Sequence, residues 1–529
     1  MKTDVLILGG GLAGFTAARE ALGKNLRVLL AEDGYGASPW VHGFNCPVLP
    51  GDSPELFLQD TLRSGQGLSE PKLAEALCGD ARKVLEELRE EGLGFNRDAG
   101  GEYRAIRPLG ASCSRVISIG NETGTAILKR FEEETEGRLA RLSRTRGLRL
   151  LKEGKRVCGA LLFDSREKRW ISVFARAVVL CTGGFCGIFP VTTNKRDSGG
   201  DGIAMAFEAG AELCDLEFIQ FEPSASVWPP ALNGTSMITT LFFEGAVLRN
   251  GAGERFMLRH GENAERVGKD VLARCIAEEI AAGRGTEHDG VYMDCTGVDP
   301  DVLDRDYAMY VERYRHVGID LKRQMIELAP ASHTALGGLR TDETGRTSLE
   351  GLFACGEATG GLHGANRLGG SGGLEPLVFG RRAGRSAAAW AEGTEEAEER
   401  ETEIPECGKE SISGELEEIR REMQRILRED AGVIRTETGL STGLARLKSL
   451  RERAWEMRGR DEMENFRLLR MRNDLTTAEL LFLAARERRE TVGCHIRADY
   501  PERAEQPERI LLRKAEDGRT EVFRRRISE

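Results

Sequence analysis

The opening of the chain limits the fold more than any other stretch. Val5-Leu6-Ile7-Leu8 is a short apolar run of β type. It leads into Gly9-Gly10-Gly11-Leu12-Ala13-Gly14, then a helical stretch from Phe15 to Gly23. A second apolar run, Arg27-Val28-Leu29-Leu30-Ala31, ends on Glu32. Strand, G-x-G-x-x-G, helix, strand and acid at this spacing read as a dinucleotide-binding βαβ unit. Gly9, Gly11 and Gly14 let the backbone approach a pyrophosphate, and the helix dipole favours its negative charge. Glu32 can accept hydrogen bonds from ribose hydroxyls. An ordinary tight strand–helix turn needs the glycines but not the placed acid.

Two further glycine turns follow apolar runs. Ala177 to Cys181 enters Thr182-Gly183-Gly184, and Ser198-Gly199-Gly200-Asp201-Gly202 opens a helix. Gly351-Leu352-Phe353-Ala354-Cys355 enters a glycine-rich loop from Gly356 to Glu375 that contains Arg367, and a helix follows. Open α/β sheets bind ligands at such loops, at the carboxyl ends of strands.

The rest of the chain arranges itself around these turns. Residues 34–60, with four prolines, read as loop, 70–92 and 121–136 as amphipathic helices, and 147–182 as a β-meander. Residues 216–336 mix short strands, loops and helices and read as an inserted α+β capping domain, hinged near 216 and 336. The acidic, non-periodic stretch 392–412 reads as a linker. Apolar spacing from 414 to 491 suggests a helical bundle, and the tail 505–529 shows one strand pattern at Arg509-Ile510-Leu511-Leu512. The expected class is α/β. A doubly wound, Rossmann-like domain (1–215 and 337–391) carries a cap (216–336), a linker (392–412) and a carboxyl-terminal helical domain with its tail (413–529).

Composition removes several functions. A net charge of −11 gives nucleic-acid binding no electrostatic support. No run of about 18 apolar residues suggests a membrane span. The amino terminus enters a strand directly, without an export signal, so the expected compartment is the cytoplasm. Twelve scattered cysteines without a Cys-x-x-Cys pair read as free thiols, and neither an iron–sulfur centre nor another metal site is expected on the chain.

The ordered motifs resemble the flavoprotein subunits of fumarate reductase and succinate dehydrogenase, and L-aspartate oxidase. The resemblance runs through the amino-terminal glycines, Thr182-Gly183-Gly184, Gly200-Asp201-Gly202 and Asn250 to Met257. It continues in His333 before Gly337-Gly338, Gly356-Glu357, Gly364-Ala365-Asn366-Arg367-Leu368, and Gly493-Cys494-His495-Ile496-Arg497. It implies FAD held by Gly9, Gly11, Gly14, Glu32, Ser38, Thr182, Gly183, Gly184, Asp201, Glu357, Gly372 and Gly373. Covalent members bond the flavin through a histidine after the second strand. Here Pro39 holds that position and His42 is displaced, so the expected FAD is non-covalent. The resemblance further implies hydride transfer between flavin and a carbon next to a carboxylate of a small organic acid. Electrons would come from an iron–sulfur or other electron-transfer partner, a free flavin or oxygen.

Site residues carry over one by one. Arg367 matches the family's carboxylate clamp, suited to it by its bidentate fork. His333 matches a second substrate-binding group, and Thr239 a substrate-binding threonine. Several positions depart, among them Phe242-Phe243 at a second relay arginine and Arg107 to Ser112, which lacks the acid that recognises the substrate amine in L-aspartate oxidase. Glu222 stands where the family has a substrate-binding histidine, Lys269 where it has the proton-transferring arginine, and Thr240 where it has a relay glutamate. In one reading Lys269 is the acid, and Glu222 selects a monocarboxylate or an acid bearing an amine or hydroxyl. In the other the two form a salt bridge in place of lost activity. The alternatives to a fumarate-reductase-like enzyme are an oxidase resembling L-aspartate oxidase and an electron-transfer subunit without its own substrate chemistry.

Overall fold

The computed structural model describes residues 1–527. Its centre is a seven-stranded sheet. Strand Lys2–Leu8 lies between Val28–Glu32 and Arg169–Leu180, parallel to both, and Ala140–Ser143 extends the sheet beyond Val28–Glu32. The long strand Arg169–Leu180 has two partners on its other edge. Its first half pairs antiparallel with Arg156–Asp164, which pairs in turn with Thr145–Glu153. Its last residues, Val178–Leu180, pair in parallel with Leu352–Ala354. This register sets Leu8 beside Ala31 and Leu180, and Leu180 beside Ala354. The three glycine turns therefore leave the sheet side by side.

The central strands read as continuous apolar runs because both of their faces are covered, and Val5 to Leu8 are at most 1% exposed. On one face the helices Leu12–Leu22 and Ser371–Glu392 pack very closely. A Cβ at Gly384 would lie 2.4 Å from the Ala17 carbonyl oxygen, and one at Gly380 2.8 Å from that of Ala13. On the other face, Ile419, Leu447 and Leu475 of the helices Ser413–Asp430, Glu437–Glu456 and Glu462–Glu487 share one core with Leu6 and Val178.

The cap is built on a four-stranded sheet in the order Ile219–Trp228, Ile326–Ala335, Val291–Asp294, Val247–Arg249, with the helix Lys269–Ala281 packed on it. Its two connections to the central domain touch. A Cβ at Gly337 would sit 2.2 Å from the Asp215 carbonyl, and Asp215 is left-handed at φ 61°.

Three local expectations change. The proline-rich segment 34–60 contains the start of a helix, Pro54–Ser64, with Pro54 at its first position and the Ser53 hydroxyl accepting from Leu56 N at 3.2 Å. The glycine-rich loop ends earlier than its composition suggests, because Ser371-Gly372-Gly373 forms the first turn of a helix behind Gly370 at φ 83°. The tail forms a hairpin, Glu508–Lys514 with Thr520–Arg526, and its first strand pairs with Leu213–Cys214, which also pairs with Gly338–Arg340. Arginines along the second strand hide its β character in the sequence, since that strand is only partly covered.

Candidate active site

The carboxyl ends of the central strands open on a cleft lined by all three glycine turns. Gly9 turns at φ 118°, and a Cβ there would lie 2.2 Å from the Cys181 carbonyl oxygen. Gly14 lets the helix start against the same turn, where a Cβ would meet the Gly9 oxygen at 1.9 Å. Gly11 precedes the first turn of that helix, and Leu12 N donates to the Ser38 hydroxyl at 2.9 Å. Gly9, Gly11, Ser38, Thr182, Gly183, Asp201, Glu357 and Gly372 all line the cleft. Gly14, Gly184 and Gly373 stand behind its wall. Gly184 makes room for the Glu357 side chain and Gly373 for the Gly43 carbonyl. The Glu32 carboxylate is turned onto its own loop, accepting from Gly34 N at 2.6 Å and lying 3.3 Å from Arg141.

These groups fit FAD. Backbone lines the pyrophosphate end too tightly for side chains, and the first turns of Leu12–Leu22, Asp201–Ala209 and Ser371–Glu392 are aimed at the cleft. The buried Thr182 hydroxyl has no partner among the described residues.

Beyond Gly372 lies a second set of polar groups. A Cβ at Gly372 would be 2.8 Å from Arg367 Nη1, so the absence of a side chain there leaves space for the guanidinium. Arg367 Nη2 donates to Gln220 Oε1 at 3.0 Å and to the Thr334 hydroxyl at 3.4 Å. Gln220 Nε2 returns hydrogen bonds to Arg367 O and Asn366 Oδ1, both at 2.9 Å. Among the described residues no carboxylate forms a salt bridge with Arg367, and its Nε is buried without a partner. Burial holds its pKa below the ordinary guanidinium value against the pull of Glu357, Glu375 and Glu222.

His333 Nδ1 lies 2.7 Å from the Thr193 hydroxyl. Burial, with the charges of Lys269 and Arg367 nearby, pushes its pKa well below the ordinary imidazole value, so the ring is neutral. Asn194 Nδ2 ties the two chambers together, donating to His333 O at 2.9 Å and to Glu357 Oε1 at 3.2 Å. Glu357 also accepts from Ala335 N at 3.1 Å, and burial raises its pKa to about 7.

Lys269 is the first residue of the helix Lys269–Ala281 and forms an ion pair with Glu222. Glu222 is buried in the facing strand, and its other oxygen accepts from the Ser224 hydroxyl at 2.8 Å. Both carboxylate oxygens are thus engaged. Thr239 opens a short turn, Thr239–Phe242; the residue is largely buried and its hydroxyl makes no hydrogen bond among the described residues. Thr240, at the relay position, accepts from the Tyr307 hydroxyl at 3.3 Å and carries no charge. Sequence reasoning passed over Gln220, Thr193 and Asn194. Gln220 had one available signal, because Gln220, Glu222, Ser224 and Ser226 alternate along an otherwise apolar strand.

A dinucleotide cradle opening beside an unmatched arginine and a neutral histidine defines an FAD-dependent oxidoreductase. The chain belongs to the FAD binding domain family, matched over residues 4–372, and its residues 420–516 match the fumarate reductase flavoprotein carboxyl-terminal domain. It is 35% identical to a fumarate reductase (CoM/CoB) subunit of Methanothermobacter marburgensis, over 97% of each chain. It is 31% identical to the L-aspartate oxidase of Yersinia pestis, over 96% of this chain and 98% of that one. Among solved structures it is similar to a variant of the E. coli quinol fumarate reductase FrdA, with a TM-score of 0.90 and 26% identity over 100% of this chain and 97% of that one. Mycobacterium smegmatis Sdh1 gives a TM-score of 0.88 and 28% identity, over 100% and 95%.

Proposed function

We propose that the protein oxidises or reduces a carbon–carbon bond next to the carboxylate of a small organic acid, and that this acid bears one carboxylate, or a carboxylate with an amine or hydroxyl at its far end. One observation carries the reading. Among the described residues Arg367 has no carboxylate partner, whereas the Glu222–Lys269 pair leaves the other polar group of the chamber without net charge. A single substrate carboxylate matches Arg367, and a second would meet Glu222. A Thr193 hydroxyl donating to Nδ1 would leave the neutral His333 ring an Nε2–H for a substrate oxygen. Bound FAD supplies or accepts the hydride. Lys269 Nζ gives the proton to the neighbouring carbon or removes it, held in place by Glu222. Pro39 offers no nitrogen for a flavin bond in the turn Ser38–Trp40, which favours non-covalent FAD.

A second reading, an amino-acid oxidase resembling L-aspartate oxidase, is favoured by Glu222 as a carboxylate that could face a substrate ammonium. Turnover would then release ammonia. Among the described residues no helix is long and apolar enough to cross a membrane. We place the protein in the cytoplasm, or peripherally at a membrane through an iron–sulfur or other electron-transfer partner. The test is anaerobic reoxidation of the reduced flavin by a panel of fumarate, aryl acrylates and urocanate. Reoxidation by monocarboxylates alone supports the reading, and reoxidation by fumarate sinks it. Silence throughout, with oxygen still reactive, assigns an oxidase or an electron-transfer subunit.

A further inference from the structure

The turn Asp197 to Asp201 lines the FAD cleft, yet about half of the hydrogen bonds that hold it come from the carboxyl-terminal domain. Asp474 Oδ1, on the helix Glu462–Glu487, accepts from Gly200 N at 2.9 Å, and the Thr477 hydroxyl donates to Gly200 O at 3.0 Å. One helical turn away, Asn473 Nδ2 donates to Asp201 Oδ1 at 2.9 Å. Arg470 donates to Asp197 Oδ1 at 2.8 Å and lies 3.4 Å from Asp201 Oδ2. The turn has no slack against this helix. A Cβ at Gly199 would meet Asp474 Oδ1 at 2.4 Å, and one at Gly200 would meet the Thr477 hydroxyl at 2.1 Å. Asn473, Asp474 and Thr477 are all nearly fully buried, and none lines the cleft.

The geometry points to the helix Glu462–Glu487 as the outer wall of the cofactor cradle, with Asn473, Asp474 and Thr477 as positioning residues for FAD. They fix the direction of the Gly200–Asp201 backbone, and Asp201 opens the helix Asp201–Ala209 toward the cleft. Asp201 is gripped from both domains, by Asn473 and Arg470 on one side and by Arg146 at 3.1 Å on the other. A turn held on two sides is pre-organised, so FAD spends little binding energy ordering it. Binding is reciprocal, so bound FAD must also stabilise the helical domain.

The experiment uses the full chain. Hydrogen exchange is followed with and without FAD, and FAD affinity is measured by flavin fluorescence on deflavinated protein. Added FAD is expected to slow exchange in residues 462–487 as it does in 197–209. Asn473→Ala and Asp474→Leu are expected to weaken FAD binding at least about tenfold, as loss of a buried hydrogen bond does. Asp474→Asn, which keeps an acceptor for Gly200 N, is expected to stay within about threefold of the native affinity. Thermal unfolding of the flavin-free variants separates loss of positioning from loss of folding. Unchanged exchange in 462–487 on adding FAD overturns the proposal without any variant. Native FAD affinity in both Asn473→Ala and Asp474→Leu overturns it as well.

Discussion

Replacing Glu222 with glutamine keeps the side chain's size and leaves an acceptor for Lys269, but removes one negative charge from the chamber. That charge is paired with Lys269, and in the proposed reading the pairing leaves Arg367 to meet a substrate carboxylate. Glu222 is 2% exposed, so its charge is poorly screened. For a second substrate carboxylate placed about 6 Å from Glu222, at an effective dielectric of about 20, the two unit charges would repel by about 3 kcal/mol. Glu222→Gln therefore raises the affinity for a dicarboxylate relative to a matched monocarboxylate by about 100-fold. The assay is equilibrium titration of the oxidised flavin with fumarate and with crotonate, read from the perturbed flavin absorbance. A fumarate-to-crotonate ratio that moves by less than about threefold refutes the assignment of Glu222 as the group that selects against a second carboxylate.

Arg367→Lys keeps the charge and loses the fork. Substrate affinity should fall by about 2 kcal/mol while flavin content stays native, measured by the same titration. Gly14→Ala places a methyl 1.9 Å from the Gly9 oxygen, and the purified protein should be nearly flavin-free by absorbance. Glu357 has a pKa raised from 4.5 to about 7, so its folded state favours the protonated form. In flavin-free protein this contribution is present below pH 4.5 and is lost as the pH rises to 7, reaching about 3 kcal/mol. Urea unfolding of wild type and Glu357→Gln across that range should show the difference in slope. Gly337→Ala pushes against Asp215 where the two cap connections cross, and should lower the thermal midpoint by about 1–3 °C in calorimetry.

The nucleotide half of the site was legible because its requirements are local. Gly9 needs a left-handed turn and Gly14 a missing side chain, and such demands leave fixed spacings in a sequence. Arg367 and His333 were reachable through motifs that surround them. What stayed hidden depends on partners far apart in the chain. Gln220 matters because Arg367 lies against it, and Asn194 because His333 and Glu357 both reach it. Glu222 and Lys269 could be read as a selective pair or as a salt bridge, and the structure places them in direct contact. The strand at 509–512 was legible, but its hairpin partner Thr520–Arg526 escaped because it is arginine-rich and only partly covered, which erases the alternation that marks a strand.

That hairpin sets the order in which the molecule can be completed. Leu213–Cys214 and Gly338–Arg340 flank the cap in the chain, and the third strand beside them is Glu508–Lys514. During synthesis, the central domain must wait for the cap, the linker and three helices to leave the ribosome before its second sheet acquires this strand. Until then Leu213 faces water along one edge, a vacancy open to any extended segment of another chain. Translation from residue 340 to residue 508 takes on the order of ten seconds or more at ordinary elongation rates, and the edge stays unpaired by its own strand for that long.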